Sequence, residues 1–330
     1  MIALVTGGGG FLGRAIVARL VGRGDVVRSL ARGDYPELRA LGVETIRGDV
    51  ADPNAVARAA KGVDVVIHVA AKAGIWGPYE EYRRANVEGT RNVLAACRVG
   101  GVGRLVYTSS PSVVHGGGDI EGADESLAYP ARHSAAYPAT KAEAERMVLG
   151  ANEPRLATVA LRPHLIWGPG DNHLVPRIVA RARAGKLRRI GRRNVLVDSI
   201  YVDNAADAHL LAADRLAPGS PLAGRAYFLS QGDPRPLWDL VNGILRAAHL
   251  PPVRRTVPVA VAHLAAAALE GVQWTFRREG EPAMTRFLVH QLSTAHWFRI
   301  DAARRDLGYE PAVSIEEGLI RLERWFASTA

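Results

Sequence analysis

The chain has 330 residues and a formal net charge of +9; 48% of its residues are hydrophobic and 23% are charged. These values are typical of an ordinary soluble globular protein with a sizeable core, in one large or two modest domains. The single cysteine, Cys97, excludes an internal disulfide, and we expect it to be a small buried side chain.

The positive charge comes almost wholly from arginine. The arginines are scattered along the chain, which argues against nucleic-acid binding, except for one cluster at residues 181–193. That cluster is open to three interpretations: a solvated face, a contact with a membrane surface, or a patch that steers an anionic substrate.

The N-terminal segment has the layout of a dinucleotide-binding turn. Residues 2–5 are a short apolar run that predicts a buried strand, a glycine-rich turn follows at 6–13, and residues 14–21 have helical spacing. Gly7 permits the tight turn, Gly10 lets the backbone approach the pyrophosphate, and the last glycine of the turn allows close helix–strand packing. The sequence therefore predicts an α/β fold with a doubly wound, parallel Rossmann sheet that binds a dinucleotide.

The second predicted strand, 25–31, indicates which dinucleotide fits. An acid at its end would bind the ribose hydroxyls of NAD, but the first acid after the strand is Asp34. Arg32, with Arg28 as a second candidate, can instead pair with a 2′-phosphate; the alternative is that both arginines are merely solvated. We expect NADP(H), with NAD(H) as the less favoured cofactor.

Residues 137–141 read Tyr-Pro-Ala-Thr-Lys and predict the start of a helix, since proline suits the first turn. Tyr137 and Lys141 are four residues apart and would share one helix face. An ammonium near a phenol favours phenolate, so we expect the pKa of the tyrosine to be lowered, which suits general acid–base chemistry. The alternative is an ordinary surface helix.

The Gly-x-x-Gly-x-x-Gly turn, together with Tyr-x-x-x-Lys, resembles the extended branch of the short-chain dehydrogenase/reductase superfamily along the whole chain. The resemblance implies a tyrosine that protonates the substrate carbonyl, a lysine that holds the nicotinamide ribose, and a serine that orients the carbonyl. The implied catalytic residues are Ser110, Tyr137 and Lys141, with Ser109 and Ser112 as alternatives to the serine. No metal is implied.

The same resemblance implies a set of cofactor contacts. Asp49 would bind the adenine amino group, and the small residues that end the fourth strand would let it pass close to the cofactor. Asn86, which is expected to open a helix running to about Val99, would be structural. His68 lies in that apolar strand, and we expect it to be packed or cofactor-adjacent. The implied cofactor-binding residues are Gly7, Gly10, Phe11, Leu12, Gly13, Arg32, Asp49, Val50, Ala70, Ala71, Lys72, Tyr137, Lys141, Pro163 and Leu165.

The resemblance also divides the chain. Residues 1–165 and 199–230 are expected to form the NADP-binding Rossmann domain. Residues 166–198 and 231–330 are expected to form a smaller, mostly helical substrate-binding domain. The most apolar stretch, 257–269, is shorter than the ~20 residues of a membrane span. We expect it to be a core helix, with an interfacial helix or a surface for an acyl chain as the alternatives.

Residues 107–111 and 162–164 resemble the 3β-hydroxysteroid dehydrogenase subgroup. Residues 71–77, 110–114 and 162–171 resemble the bacterial 2-alkyl-3-oxoalkanoate reductases of long-chain olefin biosynthesis. This implies NADPH-dependent reduction of the 3-keto group of a 2-alkyl-3-keto acid to a 3-hydroxy acid. A 3β-hydroxysteroid or sterol dehydrogenase, a nucleotide-sugar epimerase and a cofactor-sensing scaffold remain alternatives.

The residues weigh against several of the competing functions. Dehydratases of this branch place an Asp-Glu pair after the catalytic hydroxyl, where this chain has Pro111 and Ser112. Epimerases often have Arg-Asp before the returning strand, where this chain has Val197-Asp198. A cofactor-sensing scaffold on this fold usually lacks the catalytic tyrosine or lysine, whereas this chain has both Tyr137 and Lys141.

The remaining expectations concern partners and location. The N-terminus shows no charged region or cleavage site, so we expect no secretory signal, a cytoplasmic location by default and no transmembrane segment. The expected partner is a small, lipid-like keto acid rather than a nucleic acid. We also expect a homodimer, in which each chain could belong to a larger biosynthetic complex.

Overall fold

Helices separate the strands that form the large sheet, as parallel βαβ units require. The computed structural model describes residues 1–276 and 280–329; residues 277–279 and 330, which fall in the expected substrate domain, lie outside the described residues. The strands are β1 (Ile2–Thr6), β2 (Val26–Ala31), β3 (Glu44–Arg47), β4 (Val65–His68), β5 (Arg104–Thr108), β6 (Ile120–Ala123), β7 (Ala157–Pro163), β8 (Ile166–Trp167), β9 (Arg189–Ile190), β10 (Leu196–Val197), β11 (Ile200–Tyr201), β12 (Arg225–Leu229), β13 (Arg235–Pro236), β14 (Thr256–Val257) and β15 (His296–Phe298). The helices are α1 (Phe11–Gly22), α2 (Pro36–Ala40), α3 (Pro53–Ala60), α4 (Tyr79–Tyr82), α5 (Gly89–Gly100), α6 (Ala136–Gly150), α7 (Leu174–Arg183), α8 (Val202–Arg215), α9 (Leu237–Ala247), α10 (Val259–Thr275), α11 (Arg286–Ser293) and α12 (Ile315–Thr329).

The large sheet has seven strands in the order β12-β7-β5-β4-β1-β2-β3, and its pairs are parallel. Strand β1 lies between β2 and β4, so the strand order reverses there. In open parallel sheets, the crevice at such a reversal is where ligands bind. The predicted doubly wound Rossmann fold is confirmed.

The glycine turn after β1 keeps helix α1 close to the sheet. Gly7 has a φ of +72°, which side-chain-bearing residues rarely adopt. A Cβ at Gly13 would overlap the carbonyl oxygen of Gly7, so only glycine lets α1 approach this closely. The turn therefore has the close backbone packing that the sequence predicted.

The part of the chain outside the large sheet contains more strand than expected. A four-stranded sheet has the order β13-β10-β15-β6, and the pairs β11-β8 and β14-β9 form two smaller sheets. Strand β6, expected to belong only to the nucleotide-binding part, pairs in parallel with β15. Strands of two to four residues are too short to show a clear alternation of polar and apolar side chains, so the sequence did not predict them.

Two expected boundaries also differ. The helix expected to open at Asn86 begins earlier, at Tyr79, and the asparagine lies inside a π-helical turn, Arg83–Glu88. The returning strand near Ser199 is only Ile200–Tyr201, and it pairs with β8 rather than joining the large sheet. The helix after it, α8, packs against α1 as a Rossmann helix would.

Cys97 is buried, as expected, and burial raises the pKa of its thiol to about 12.

The prediction that the apolar stretch 257–269 is a core helix was wrong: helix α10 buries only a narrow stripe and exposes most of its surface. Within residues 1–276 and 280–329, no helix is both long and apolar enough to cross a membrane.

Candidate active site

A cavity of about 1030 Å³ lies at the carboxyl ends of the central strands of the large sheet, where the strand order reverses. The structure brings all of the predicted site residues to its wall. These are Gly7, Gly10, Phe11, Leu12, Gly13, Arg32, Asp49, Val50, Ala70, Ala71, Lys72, Ser110, Tyr137, Lys141, Pro163 and Leu165. Ser109 and Ser112, the alternative serines, also line the cavity.

One end of the cavity suits the phosphates of a dinucleotide. Helix α1 begins at Phe11, directly after the glycine turn, and its first turn carries no acidic residue. The first N–H groups of a helix lack intrahelical acceptors and, with the helix dipole, favour an anion. The glycine turn also leaves no Cβ between the backbone and the cavity. This end therefore fits a pyrophosphate.

The two arginines near β2 differ in their surroundings. Arg32 is exposed at the cavity wall, and within the described part of the chain its guanidinium makes no ion pair. Arg28 instead donates to Glu44 Oε2 at 2.8 Å and to the carbonyl oxygens of Ala59 and Lys61. Of these two arginines, Arg32 is the one that lines the cavity and could meet a phosphate there.

Asp49 lies at the same end, beyond β3. Its Oδ1 accepts a hydrogen bond from Ala51 N at 3.0 Å, and its Oδ2 lies 3.1 Å from Arg84 Nη2. These contacts fix the direction of the carboxylate at the cavity wall. An acceptor held in this way suits a hydrogen bond from an amino group, as the resemblance to the family implies.

Asn86 ties the loop after β4 to helix α6. Its Oδ1 accepts from Lys72 N at 2.7 Å, and its Nδ2 donates to Thr140 Oγ1 at 3.0 Å. The structural role expected for the asparagine is thus visible in its contacts. His68 is fully buried and hydrogen-bonded to Thr6 and Thr90, so it is a packed histidine.

Helix α6 presents Tyr137 and Lys141 on one face, as their spacing predicted. Lys141 is buried; its Nζ donates to the carbonyl oxygen of Thr108 at 2.5 Å and lies 4.1 Å from the centre of the Tyr107 ring. Burial lowers the pKa of this lysine to about 7, although the Glu145 carboxylate raises it. The ammonium is thus anchored to the end of β5.

The phenol of Tyr137 lies at the cavity wall with Ser110. Burial raises its pKa, and a hydrogen bond with Ser110 lowers it by less. The net direction is opposite to the one expected from the ammonium alone, because the cost of burying a phenolate outweighs the effect of nearby donors. The tyrosine is therefore a neutral phenol at pH 7.

Ser110 caps the 3-10 turn Pro111–Val114 that follows β5. Its Oγ accepts from Ser112 N at 3.2 Å and from Ser112 Oγ at 2.9 Å. Ser112 thus supports Ser110, and the Oγ of Ser109 is buried without a hydrogen-bond partner among the described residues. Of the three serines, Ser110 is the one that the structure links to the tyrosine.

A buried ion pair beneath the lysine was missed by the sequence analysis. Glu145 follows Lys141 by one turn, and its Oε1 lies 2.6 Å from Arg162 Nη2 and accepts from the Tyr129 hydroxyl at 2.6 Å. Neither charged side chain is more than 3% exposed. The sequence did carry a signal for Glu145: it follows Lys141 by four residues, just as Lys141 follows Tyr137, so all three side chains share one helix face.

Three histidines that the sequence analysis did not connect line the cavity and contact one another. The ring centres of His164 and His296 are 4.9 Å apart, and those of His115 and His296 are 6.0 Å apart. Burial lowers the pKa of each, that of His115 to about 4, so all three are neutral at pH 7. Each ring has one buried nitrogen without a hydrogen-bond partner among the described residues. Their spacing in the sequence carries no signal of this contact.

Leu165 adopts a φ of 43°, an uncommon conformation for a residue with a side chain. It follows β7 at the cavity wall, and its carbonyl oxygen accepts from Ile200 N at 3.4 Å. Such strained backbone clusters at ligand sites, where the surrounding structure holds it. The segment 163–165 is therefore fixed at the edge of the cavity.

Comparisons with known proteins agree with this geometry. The profile of the 3-beta hydroxysteroid dehydrogenase/isomerase family matches residues 4–259. The chain is 54% identical over 326 residues to a 2-alkyl-3-oxoalkanoate reductase of Stenotrophomonas maltophilia, covering 98% of each chain. It is 49% identical over 329 residues to a 2-alkyl-3-oxoalkanoate reductase of Shewanella oneidensis, covering 97% of this chain and 85% of that one. Among solved structures, the UDP-glucose 4-epimerase of Thermus thermophilus in complex with NAD is 25% identical with a TM-score of 0.76, and the match covers 100% of both chains.

The lowered pKa of Lys141 predicts how cofactor affinity depends on pH. The ammonium is lost as the pH rises through about 7. If it holds the nicotinamide ribose, as the resemblance to the family implies, the affinity for a cofactor such as NADPH should fall between pH 7 and 9, by up to about tenfold per pH unit. Fluorescence titration of NADPH at several pH values measures this slope. In the Lys141→Met variant, the affinity should be weaker at pH 7 and nearly flat with pH. An equal slope in both proteins would contradict this role for the lysine.

Proposed function

Because the chain belongs to the 3-beta hydroxysteroid dehydrogenase/isomerase family, we propose that it is an NADPH-dependent reductase of long-chain 2-alkyl-3-oxoalkanoic acids. The product would be the 3-hydroxy acid, in a step of olefin biosynthesis. The chain is an oxidoreductase with a nicotinamide cofactor. The observation that supports reductase chemistry is the meeting of Ser110, Tyr137 and Lys141 on the wall of one dinucleotide-sized cavity. The names of the two relatives supply the substrate class.

The nicotinamide cofactor, when bound, supplies a hydride to the carbonyl carbon. Ser110 would orient the carbonyl by donating a hydrogen bond to its oxygen. Tyr137 would donate the proton that this oxygen needs as the carbonyl becomes an alcohol, and the raised pKa of the phenol keeps that proton available at pH 7. General acid catalysis of this kind typically contributes ~10²–10⁴ in rate.

Lys141 would stabilise the phenolate that remains after the proton has been donated. Side chains four residues apart on a helix lie close together, and a positive charge there favours the anion. Glu145, one turn further on, helps the lysine to stay protonated, while Arg162 neutralises that carboxylate. The hydrogen bond to Thr108 keeps the ammonium beside the end of β5.

The proposed division into domains gives the substrate a place in the same cavity. Residues 1–165 and 199–230 would hold the cofactor, and residues 166–198 and 231–330 would cover the substrate. Leu174, Phe287 and Leu288 line the cavity from this second part and offer an apolar surface for alkyl chains. The neutral imidazoles of His115 and His164 can each offer one N–H donor to a carboxylate, whereas the N–H of His296 is already bound to the carbonyl oxygen of Gln291.

An epimerase has less support from the structure. Val197 occupies the position before Asp198 where an arginine would bind a nucleotide phosphate. Asp198 itself is fully buried, and its Oδ2 accepts from Phe298 N at 2.6 Å, so it serves the packing of β10 and β15. The fold shared with a UDP-glucose 4-epimerase does not by itself imply its activity.

The preference for NADPH is tested at Arg32. Hydrogen bonds to charged groups contribute about 1.5–3 kcal/mol, so Arg32→Ala should weaken NADPH binding by about tenfold or more and leave NADH binding nearly unchanged. Arg58→Ala is the matched control, because this arginine is exposed on α3 and lies outside the cavity wall. Calorimetric titration of both cofactors measures the effect. Equal losses for NADPH and NADH would show that Arg32 does not read the 2′-phosphate.

The substrate class is tested by following NADPH oxidation with three carbonyl compounds. We expect turnover with a 2-alkyl-3-keto acid to exceed that with a 3-ketosteroid or a UDP-4-keto-sugar. Tyr137→Phe should reduce that turnover by at least ~10², while cofactor affinity stays nearly intact. If the steroid is turned over faster than the keto acid, the proposed substrate is wrong. If Tyr137→Phe turns over as fast as the wild type, the tyrosine is not the proton donor.

A further inference from the structure

Two features of the chain remain outside the cavity: the apolar helix α10 and the arginine cluster at 181–193. The structure joins them. Strand β14, directly before α10, pairs in parallel with β9 inside the cluster, with Val257 opposite Ile190. Arg189 N also donates to the carbonyl oxygen of Arg255 at 2.9 Å. The two features therefore form one continuous surface.

Helix α10 exposes an apolar face of unusual extent. Its buried stripe consists of Ala262, Ala266 and Glu270, one residue per turn. Leu264 is 73% exposed and Trp274 is 65% exposed. Glu270, the only charged residue between 259 and 275, is itself buried and bound by Arg286. A contiguous exposed apolar surface of this kind marks an interaction site.

The rim of this face is basic. Exposed side chains on the β9 side and on the segment before α10 include Arg183, Lys186, Arg192, Arg193, Arg254 and Arg255. Within residues 1–276 and 280–329, one of these six side chains makes an ion pair: Arg193, with Asp119. Most of the positive charge beside the apolar helix is thus not neutralised.

The C-terminal end of α10 lies near the wall of the cavity. The ring centres of Trp274 and Trp76 are 5.5 Å apart, and Ile75, the neighbour of Trp76, lines the cavity. Arg177, also at the cavity wall, pairs with Glu281 at 2.5 Å, just beyond the helix. The apolar face therefore lies next to the part of the cavity wall that contains Ile75 and Arg177.

We propose that α10 and its basic rim form a docking surface for an anionic lipid bilayer. An apolar helix flanked by arginines lies favourably in the interface of such a bilayer, with the arginines at the lipid headgroups. A second copy of the chain fits less well, because a two-fold contact would bring two basic rims together. Docking in this orientation would bring the cavity wall around Ile75 and Arg177 close to the lipid. The proposal does not depend on the substrate proposed above.

The test is flotation of the protein with lipid vesicles in the absence of substrate. The protein should float with vesicles of equal parts phosphatidylcholine and phosphatidylglycerol, much less with phosphatidylcholine alone, and less at high salt. Leu264→Glu should reduce flotation at least about tenfold. Ile320→Glu, the same change at a 43% exposed apolar residue of α12, should float like the wild type. Equal flotation with both kinds of vesicle, or with neither, would overturn the proposal.

Folding and self-association need their own readouts. Since Leu264 is largely exposed, Leu264→Glu should keep the wild-type melting temperature and turnover with a short, water-soluble ketone. Sedimentation should give the same oligomeric state for both proteins. If the wild type is instead a dimer that this variant dissociates, the face is an interface between copies and the lipid proposal is wrong.

Discussion

The site depends on one buried cation. Lys141 carries its ammonium into the interior, where removing a charge from water costs several kcal/mol. The carbonyl oxygen of Thr108, the Tyr107 ring and the carboxylate of Glu145 offset that cost. Thr108 and Tyr107 belong to β5, and Glu145 belongs to α6, as Lys141 does. The contacts of the lysine therefore hold helix α6 against the end of the strand. Tyr137, one turn earlier, is thereby held where the strand ends and the cavity begins.

Much of this site was predictable because several of its features depend on short stretches of sequence. The tight turn at Gly7, the close approach at Gly13 and the helical spacing of Tyr137 and Lys141 each depend on residues near one another in sequence. The parallel sheet then collects the strand ends at one edge, so residues named from separate motifs meet in one cavity. Ser110 is positioned in this way, by the end of β5.

Other features depend on contacts between distant parts of the chain. The raised pKa of Tyr137 follows from burial, which its neighbours in sequence do not reveal. The pairing of β6 with β15 and the contact between His164 and His296 join segments with no shared pattern. Composition suggested a buried α10, but whether an apolar helix is covered depends on which elements pack against it. The result is an apolar face with a basic rim, next to the wall of the candidate active site.

Net hydride transfer to the 3-keto carbon of a 2-alkyl-3-oxo acid distinguishes the proposed reductase from an epimerase. The most direct measurement uses NADPH that carries deuterium at the transferred position of C4, followed by mass spectrometry of the product. One deuterium bound to C3 of the 3-hydroxy acid, with one NADP⁺ formed per product, is the predicted result. Return of the deuterium to the cofactor without net oxidation of NADPH, as an epimerase requires, would contradict it.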